Sequence, residues 1–339
     1  MKKNIFLFIS FFCSIGIFGQ QIQMLNLDKQ EISFRGLAVL DEFIFWVSGS
    51  EGTVGFSVNA GKSIKWVNPK GYEDRDFRMI EVLSPTTAVV AAVGSPGIIL
   101  KTEDNGVNWK EVYRDEHPDV FIDVLQFTAY NPKMGIAVGD PINGNPYILK
   151  TTDGGNSWKK IDDLTLEFEE GEAFFAASNS NISLIDEDTY IMATGGKKSR
   201  LILISDLIVT ENLPKSSSLT AGVNALDFSF YNKFGLIAGG DFENKESSEN
   251  NLIVFELEGM KSFKISFPET PPNGYKSGVA IFGQSKAVAC GLMGVDLSVD
   301  KGKTWQKVTT TPFHACKKSK KGNKIYLVGA EGRIAHFLE

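Results

Sequence analysis

The sequence of 339 residues has few of the side chains on which common catalytic and metal sites depend. It contains three cysteines and three histidines, and none of them has the spacing of a zinc site. Gly195-Gly-Lys-Lys-Ser199 lacks the first glycine of a phosphate-binding loop, and Ser95 is not in the GxSxG pattern of a nucleophile elbow. We therefore expect no catalytic residues, no metal and no cofactor.

The sequence also lacks positive net charge and, beyond its first residues, long hydrophobic runs. Lys plus Arg is 35 against 41 Asp plus Glu, so the chain is a poor partner for nucleic acid. Lys2 and Lys3 precede an uncharged apolar run over residues 5–18, which is shorter than the ~20 residues of a membrane-spanning helix. With small Gly19 after it, this pattern predicts a signal peptide over residues 1–19 and a periplasmic or secreted protein without a membrane span. A permanent anchor and a lipoprotein modified at Cys13 are the less favoured alternatives.

Two cysteines, Cys290 and Cys316, remain after removal of that segment. Each lies in an apolar, strand-like run, where a buried free thiol is the common occupant. A disulfide between them stays open, because the sequence does not give their separation.

No segment shows convincing helical periodicity, but one turn pattern occurs three times. Its copies are Thr102-Glu-Asp-Asn-Gly-Val-Asn-Trp109, Thr151-Thr-Asp-Gly-Gly-Asn-Ser-Trp158 and Ser298-Val-Asp-Lys-Gly-Lys-Thr-Trp305. In a tight turn between two strands the aspartate accepts backbone N–H groups, the glycine takes positive φ and the tryptophan anchors the turn. These Asp-box (BNR-type) roles fall on Asp104, Gly106, Trp109, Asp153, Gly155, Trp158, Asp300, Gly302 and Trp305. A decayed copy is Ser57-Val-Asn-Ala-Gly-Lys-Ser63, and Ser205-Asp206 is a remnant.

A longer unit of about 44 residues repeats around these turns, the length of a four-stranded propeller blade. Its first strands are predicted to begin near Phe34, Phe77, Phe121, Phe174, Val223, Tyr275 and Phe313. The last unit is one strand short, and residues 22–27 can supply that strand. The sequence therefore predicts an all-β, seven-bladed propeller of four-stranded antiparallel blades over residues 20–339, closed by its N-terminal strand.

With Thr151-Thr-Asp-Gly-Gly-Asn-Ser-Trp158, Ala137-Val-Gly-Asp140 and Phe34-Arg-Gly-Leu37, the sequence resembles the photosystem II stability and assembly factor family of seven-bladed propellers. More closely, it resembles the exported members of non-photosynthetic bacteria. The resemblance implies a non-catalytic assembly factor that binds a protein partner, here in the cell envelope. It does not imply the photosynthetic partner itself.

The second positions of the predicted first strands suggest a binding site. They are Arg35, Arg78, Ile122, Phe175, Asn224, Lys276 and His314. Because these strands line the axis of a propeller, Arg35, Arg78, Lys276 and His314 are predicted to form a basic patch for a carboxylate or another anion. Asp140 and Asp241 should lie in loops on the same rim.

Two alternative interpretations of this rim stay open. Each cation could pair with a neighbour such as Asp76, Asp123 or Glu172 and only fill the channel. Calcium at Asp140 with its neighbouring asparagines is disfavoured, because turn chemistry explains that loop.

A second function class follows from the Asp boxes, which sialidases share. A sialidase-type glycoside hydrolase needs three arginines, a tyrosine nucleophile and a glutamate. Arg35, Arg78, Arg200 and Arg333 are the candidate arginines, but the blade count disagrees with that class. A protein-binding propeller is therefore the favoured interpretation, and an enzyme is the alternative.

Overall fold

The structure, a computed structural model, describes residues 22–25, 29, 31–162, 164–214 and 218–338. These residues form strands, turns and loops, with no helix among them. The described part of the chain accordingly contains no helix with the length and hydrophobicity needed to span a bilayer. The predicted signal peptide over residues 1–19 lies outside the described residues.

Thirty strands follow one another along the described chain. The first fifteen are β1 (Ile22–Leu25), β2 (Phe34–Val39), β3 (Phe45–Gly49), β4 (Val54–Ser57), β5 (Lys65–Trp66), β6 (Met79–Ser84), β7 (Thr87–Ala92), β8 (Gly97–Thr102), β9 (Lys110–Asp115), β10 (Ile122–Phe127), β11 (Gly135–Ile142), β12 (Asn145–Thr151), β13 (Lys159–Lys160), β14 (Glu172–Ala173) and β15 (Ile182–Leu184). The others are β16 (Tyr190–Ala193), β17 (Gly195–Gly196), β18 (Arg200–Ile204), β19 (Ile208–Asn212), β20 (Ala221–Ser229), β21 (Phe234–Asp241), β22 (Leu252–Glu258), β23 (Ser262–Ser266), β24 (Gly278–Phe282), β25 (Lys286–Gly291), β26 (Gly294–Ser298), β27 (Gln306–Thr309), β28 (Ala315–Lys318), β29 (Ile325–Val328) and β30 (Ile334–Phe337).

The strands form seven antiparallel sheets, which are the blades of a β-propeller. Blades 1 to 3 are β2–β5, β6–β9 and β10–β13; blade 4 is β15, β16, β18 and β19; blades 5 and 6 are β20–β23 and β24–β27; blade 7 is β28–β30 with β1. The short strands β14 and β17 extend the sheet of blade 5. The predicted fold class is confirmed.

The N-terminal strand closes the ring, as the sequence predicts. β1 pairs with β30, so that Ile22 lies opposite Phe337 and Leu25 lies opposite Ile334. The final blade thus takes strands from both ends of the described chain, and the sheet edge at β30 is covered.

The hydrophobic core lies between the blades, because each blade buries both faces against its neighbours. One cluster of buried side chains lies at each of the seven junctions between neighbouring blades. At the junction of blades 1 and 2, for example, Trp46 packs with Phe77 and Ile80. The second strands are accordingly continuous apolar runs, whereas outer strands such as β19 alternate in exposure. Cys290 and Cys316 are buried free thiols at the junction of blades 6 and 7.

Each inner strand starts at one rim of the ring, the start rim, and the Asp-box turns lie at the opposite rim, the turn rim. At the start rim, a glycine lies in or at the end of several second strands for a steric reason. A Cβ at Gly49 or Gly139 would clash with the carbonyl oxygen of the residue before the inner strand, and a Cβ at Gly291 would clash with that of Tyr275. Next to this close approach, β-bulges at Arg35, Asp123 and Asn224 interrupt the pairing of the inner strands. Such a bulge changes the direction of a side chain.

The turn pattern forms the hydrogen bonds that its residue types favour. In blade 3, Asp153 accepts backbone N–H bonds from Asn156 and Ser157 at 2.9 and 3.0 Å, while Thr151 Oγ1 accepts one from Gly155 at 3.0 Å. Asp104 and Asp300 accept equivalent bonds in blades 2 and 6. The decayed copy keeps the geometry, with Asn59 in place of the aspartate.

Candidate functional site

Residues 174–181 cross the axis of the ring and close the channel between the blades. The sequence predicts the first strand of blade 4 near Phe174, but the structure places that strand at β15, and the residues before it turn inward. Hydrogen bonds tie this segment to inner strands of five other blades through Arg35, Ile80, Leu125, Leu226 and Lys317. We call residues 174–181 the axial plug.

Asn179 is the centre of the axial plug. Its side chain is fully buried, and its backbone has a φ of 55°. The Oδ1 atom accepts a 2.7 Å bond from Leu125 N–H, and Nδ2 donates to the carbonyl oxygen of Ile80 at 3.2 Å. Asparagine suits this position because it tolerates the left-handed conformation and both donates and accepts.

Above the axial plug, at the start rim, lies a cavity of about 250 Å³ that we call the axial cup. Its polar lining residues are Arg35, Arg78, Asn224, Tyr275, Ser277 and His314. Its apolar lining residues are Phe175, Ala176, Ala177, Phe242 and Leu292. Three of the four side chains of the predicted basic patch, Arg35, Arg78 and His314, therefore converge.

Arg35 is the cation of the axial cup that keeps its charge uncompensated by an ion pair. Its Nη1 donates a 3.3 Å bond to the carbonyl oxygen of Ala177, and within the described residues Arg35 forms no ion pair. Burial lowers the pKa of Arg35 from its ordinary value, and the neighbouring Arg78 lowers it further. Because a guanidinium stays protonated in proteins, Arg35 is a partly buried cation whose charge favours an anion.

Arg78 is different, because it is paired. Its Nε lies 2.7 Å from Oδ2 of Asp76. The neutralisation considered from the sequence thus applies to Arg78 and not to Arg35.

His314 contributes a neutral ring to the axial cup. Burial, followed by the charge of Arg35, lowers the pKa of His314 to about 4. Its Nδ1 lies 3.1 Å from the carbonyl oxygen of Phe34. Since a carbonyl oxygen only accepts, Nδ1 carries the proton of the neutral ring and Nε2 is an acceptor. The positive charge predicted at this position is therefore absent at neutral pH.

Lys276 does not reach the axial cup. It is fully buried, with Nζ 2.6 Å from Asp296 Oδ2 and 3.2 Å from the carbonyl oxygen of Gly294. Its neighbour Ser277 lines the cup instead. The residue that faces the cup is one position later than predicted, and a shift of one residue moves a strand side chain to the other face.

The same shift hides an acidic residue in blade 3, where Asp123 rather than Ile122 is at the bulge. Asp123 is fully buried, and among the described residues neither carboxylate oxygen has a hydrogen-bond partner of good geometry. Burial raises the pKa of Asp123 well above its ordinary value, and Asp140 raises it further. Burial thus disfavours a negative charge on Asp123 beside the cup.

Asp140 and Asp241 lie at the start rim but outside the lining of the axial cup. Asp140 accepts a 2.8 Å bond from the backbone N–H of Phe174, the first residue of the axial plug. Burial raises the pKa of Asp140 to about 6. Asp241 accepts bonds from Thr220 Oγ1 and Glu243 N–H, and the Thr220 bond lowers its pKa. Both carboxylates thus shape loops.

The side chains that a sialidase needs are not assembled in the axial cup. Arg200 lies elsewhere, with Nε and Nη2 each 2.8 Å from Glu172, and Arg333 is paired with Glu331. Tyr275 lines the cup, where its hydroxyl donates to Asn224 Oδ1 at 2.8 Å, but no carboxylate is among the lining residues. In the part of the chain that the structure describes, no group of three His, Cys, Asp or Glu side chains could hold a metal ion.

Sequence reasoning missed Ser277, Tyr275 and Phe242 as lining residues. Ser277 lies one position after the residue that the repeat predicts, and the alternation of polar and apolar residues does not show this. Tyr275 and Phe242 belong to neighbouring blades whose loops meet at the rim, with ring centroids 6.4 Å apart. No local pattern in the sequence links two such residues.

These features define a seven-bladed β-propeller whose channel is plugged and whose start rim carries a cationic cup. Among solved structures it is similar to one described as "YCF48 bound to D1 peptide", with a TM-score of 0.60 and 13% identity over 95% of this chain and 96% of that one. It is also similar to "YCF48 from Cyanidioschyzon merolae", with a TM-score of 0.63 and 15% identity over 94% and 98% of the two chains. At these identities the likeness shows the fold. Comparison of the sequence with protein-family models and with curated proteins gave no match.

Proposed function

We propose that this protein is a non-catalytic, exported propeller that binds a polypeptide partner in the cell envelope and acts as an assembly or stability factor. The axial cup takes a carboxylate of that partner. The observation that carries this proposal is the partly buried guanidinium of Arg35, which has no ion pair among the described residues and lies in a cavity with apolar residues in its lining. A carboxylate accepts two parallel bonds from a guanidinium, and low solvent exposure strengthens the pair.

The rest of the axial cup supports a peptide ligand. Phe175, Phe242 and Leu292 give apolar surface beside the cation, and Asn224 and Ser277 can bond to a backbone. One of the solved structures of similar fold is described as "YCF48 bound to D1 peptide". A polypeptide is accordingly the class of ligand that we assign to the cup, whereas the partner of that protein is not carried over.

The proposal excludes hydrolysis because of what lines the cup. His314 could act as a base, but the lining contains neither a carboxylate to orient it nor a cysteine, and its one serine, Ser277, donates to the carbonyl oxygen of His314 at 2.7 Å. A serine held in this way is not activated as a nucleophile.

The test is capture of partners from an envelope extract by the immobilised protein. We expect a set of polypeptides that is lost with Arg35→Ala/Arg78→Ala and released from the wild type by peptides with a free C-terminal carboxylate. Arg114→Ala is the matched control, because Arg114 is paired with Glu111 and Glu116 on an outer strand. If the wild type and both variants captured the same polypeptides, the axial cup would not be the binding site.

A further inference from the structure

A second surface lies on the turn rim, at the tip of blade 5. The hairpin between β20 and β21 exposes two adjacent aromatic side chains, Phe230 at 57% and Tyr231 at 96%. Their rings form an edge-to-face pair with centroids 6.3 Å apart. At this exposure the Tyr231 ring projects almost wholly beyond the surface of the protein. Exposed aromatic residues that project in this way mark an interaction site.

Two loops of blade 6 lie beside this hairpin. Asn232 Nδ2 donates to the carbonyl oxygen of Gly283 at 3.2 Å, which joins the hairpin to the β24–β25 turn. Lys301 Nζ lies 5.3 Å from the ring centroid of Phe234, and this contact joins the hairpin to the Asp-box turn of blade 6. The same turn exposes Val299. The three loops thus form one continuous surface.

The charge of this surface is positive. The three loops carry Lys233, Lys301 and Lys303. Their one carboxylate, Asp300, is bonded to Ser298 and Thr304 within its own turn. We call Phe230, Tyr231 and Val299 with these three lysines the lysine-flanked tip.

Comparable hairpins in two other blades also expose an aromatic residue, and the one in blade 3 has acidic neighbours. In blade 3, Tyr130 is 61% exposed, and its hydroxyl donates to Ile185 in a loop that continues with Asp186, Glu187 and Asp188. In blade 1, Phe43 is exposed beside both acidic and basic residues, since Asp41 forms a β-bridge with Lys321. The combination of two projecting aromatic residues and lysines therefore distinguishes blade 5 from blade 3.

We propose that the lysine-flanked tip docks this protein on an anionic phospholipid bilayer. Aromatic rings partition into the headgroup region of a bilayer, and lysines around them are attracted to anionic lipids. A bilayer accepts a convex tip without a matching pocket, whereas a folded protein partner needs a complementary surface. With the turn rim on the membrane, the axial cup on the start rim faces away from it and stays open to a polypeptide.

Co-sedimentation of the folded protein with vesicles tests this proposal. We expect binding to vesicles of phosphatidylcholine with phosphatidylglycerol, and at least about tenfold weaker binding to phosphatidylcholine alone. Phe230→Ser/Tyr231→Ser should weaken binding to the anionic vesicles about tenfold or more, and Lys233→Gln/Lys301→Gln should weaken it most at low salt. These side chains are exposed, so the fold is retained.

Tyr130→Ser is the matched control, because it removes an equally exposed aromatic residue from the same rim in acidic surroundings. We expect it to bind the anionic vesicles as the wild type does. Absence of vesicle binding by the wild type, or an equal loss with Tyr130→Ser, would overturn the proposal. Binding to soluble polyglutamate without binding to vesicles would also overturn it, since it would identify an acidic polypeptide as the occupant.

Discussion

Lys317 Nζ donates a 2.8 Å hydrogen bond to the carbonyl oxygen of Asn179, which lies on the axis of the ring. Burial lowers the pKa of Lys317, and the carboxylates of Glu81 and Asp227 offset part of that effect. The side chain of Lys317, from blade 7, thus holds the axial plug, which leads into blade 4, in place. The axial plug is in this way part of the framework of the ring, and it gives the axial cup its floor.

The first prediction concerns the side chain at the centre of the axial plug. Asn179→Ala should lower the free energy of unfolding by about 2–4 kcal/mol, because the buried N–H of Leu125 and carbonyl of Ile80 both lose a partner. Urea unfolding measures this change. Asn145→Ala, at an exposed asparagine, should change it by about 0.5 kcal/mol or less. Equal midpoints for the two variants would mean that the plug does not hold the ring.

The second prediction is that Lys276 contributes to the stability of the fold and not to ligand binding in the axial cup. Lys276→Met leaves Asp296 as an unpaired buried charge and should cost about 3–5 kcal/mol of stability. Lys276→Met/Asp296→Leu should recover most of that loss, because it removes both charges. Denaturation and ligand titration of the double variant are the measurements. If the double variant were stable but did not bind ligand, Lys276 would have a role in the binding site.

The third prediction is a dependence of stability on pH through Asp140. Its folded-state pKa of about 6 exceeds the ordinary value of 3.8, so its contribution to stability is full at low pH and is lost as pH rises through about 6. Asp140→Asn keeps an acceptor for Phe174 N–H and carries no charge. The variant should therefore be more stable than the wild type at pH 8, by on the order of 1–2 kcal/mol, and nearly equal to it at pH 4.

Thermal unfolding of the wild type and of Asp140→Asn between pH 4 and pH 8 gives the difference in their stability. Groups that titrate alike in both proteins, such as His314, do not contribute to this difference. Asp119→Asn, at an exposed aspartate, is the control. A difference that does not change between pH 4 and pH 8 would contradict the assigned shift.

The fourth prediction concerns the turn aspartates. Burial acts to raise the pKa of Asp153, but hydrogen bonds led by those from Ser157 outweigh it and hold the value at about 2. Because the pKa of Asp153 is lower in the folded state than its ordinary value, its contribution to folding stability is present above pH 4 and is lost as pH falls toward 2. Asp153→Ala should cost about 1 kcal/mol at pH 7, when its backbone bonds are lost. Asp206→Ala, at the remnant turn of blade 4, should cost less. Equal losses would indicate that the pattern has no structural role.

The sequence was sufficient to predict the ring, because the buried second strand repeats in every blade and the same turn chemistry repeats in several of them. The closure by residues 22–25 followed from counting strands. The site was less predictable, since a difference of one residue decides which side chain faces the cup. Ser277 lines the cup in place of Lys276, and the β-bulge of blade 3 falls at Asp123 and not at Ile122.

The axial plug could not be predicted for a different reason. Residues 174–181 have the composition of the other inner strands at their start, with Phe174 in the expected place. Their conformation is decided by hydrogen bonds to Ile80, Leu125 and Lys317, which are distant in sequence. A pattern within the segment does not contain that information.

The fifth prediction bears on the axial cup itself. Fluorescence anisotropy can compare two mixtures of labelled hexapeptides that differ only in a free or an amidated C-terminus. If Arg35 receives a carboxylate, the free peptides should bind the wild type at least about tenfold more tightly than the amidated ones, and Arg35→Ala should abolish this preference while Arg114→Ala keeps it. Equal binding of the two mixtures, or a preference that survives in Arg35→Ala, would contradict the account.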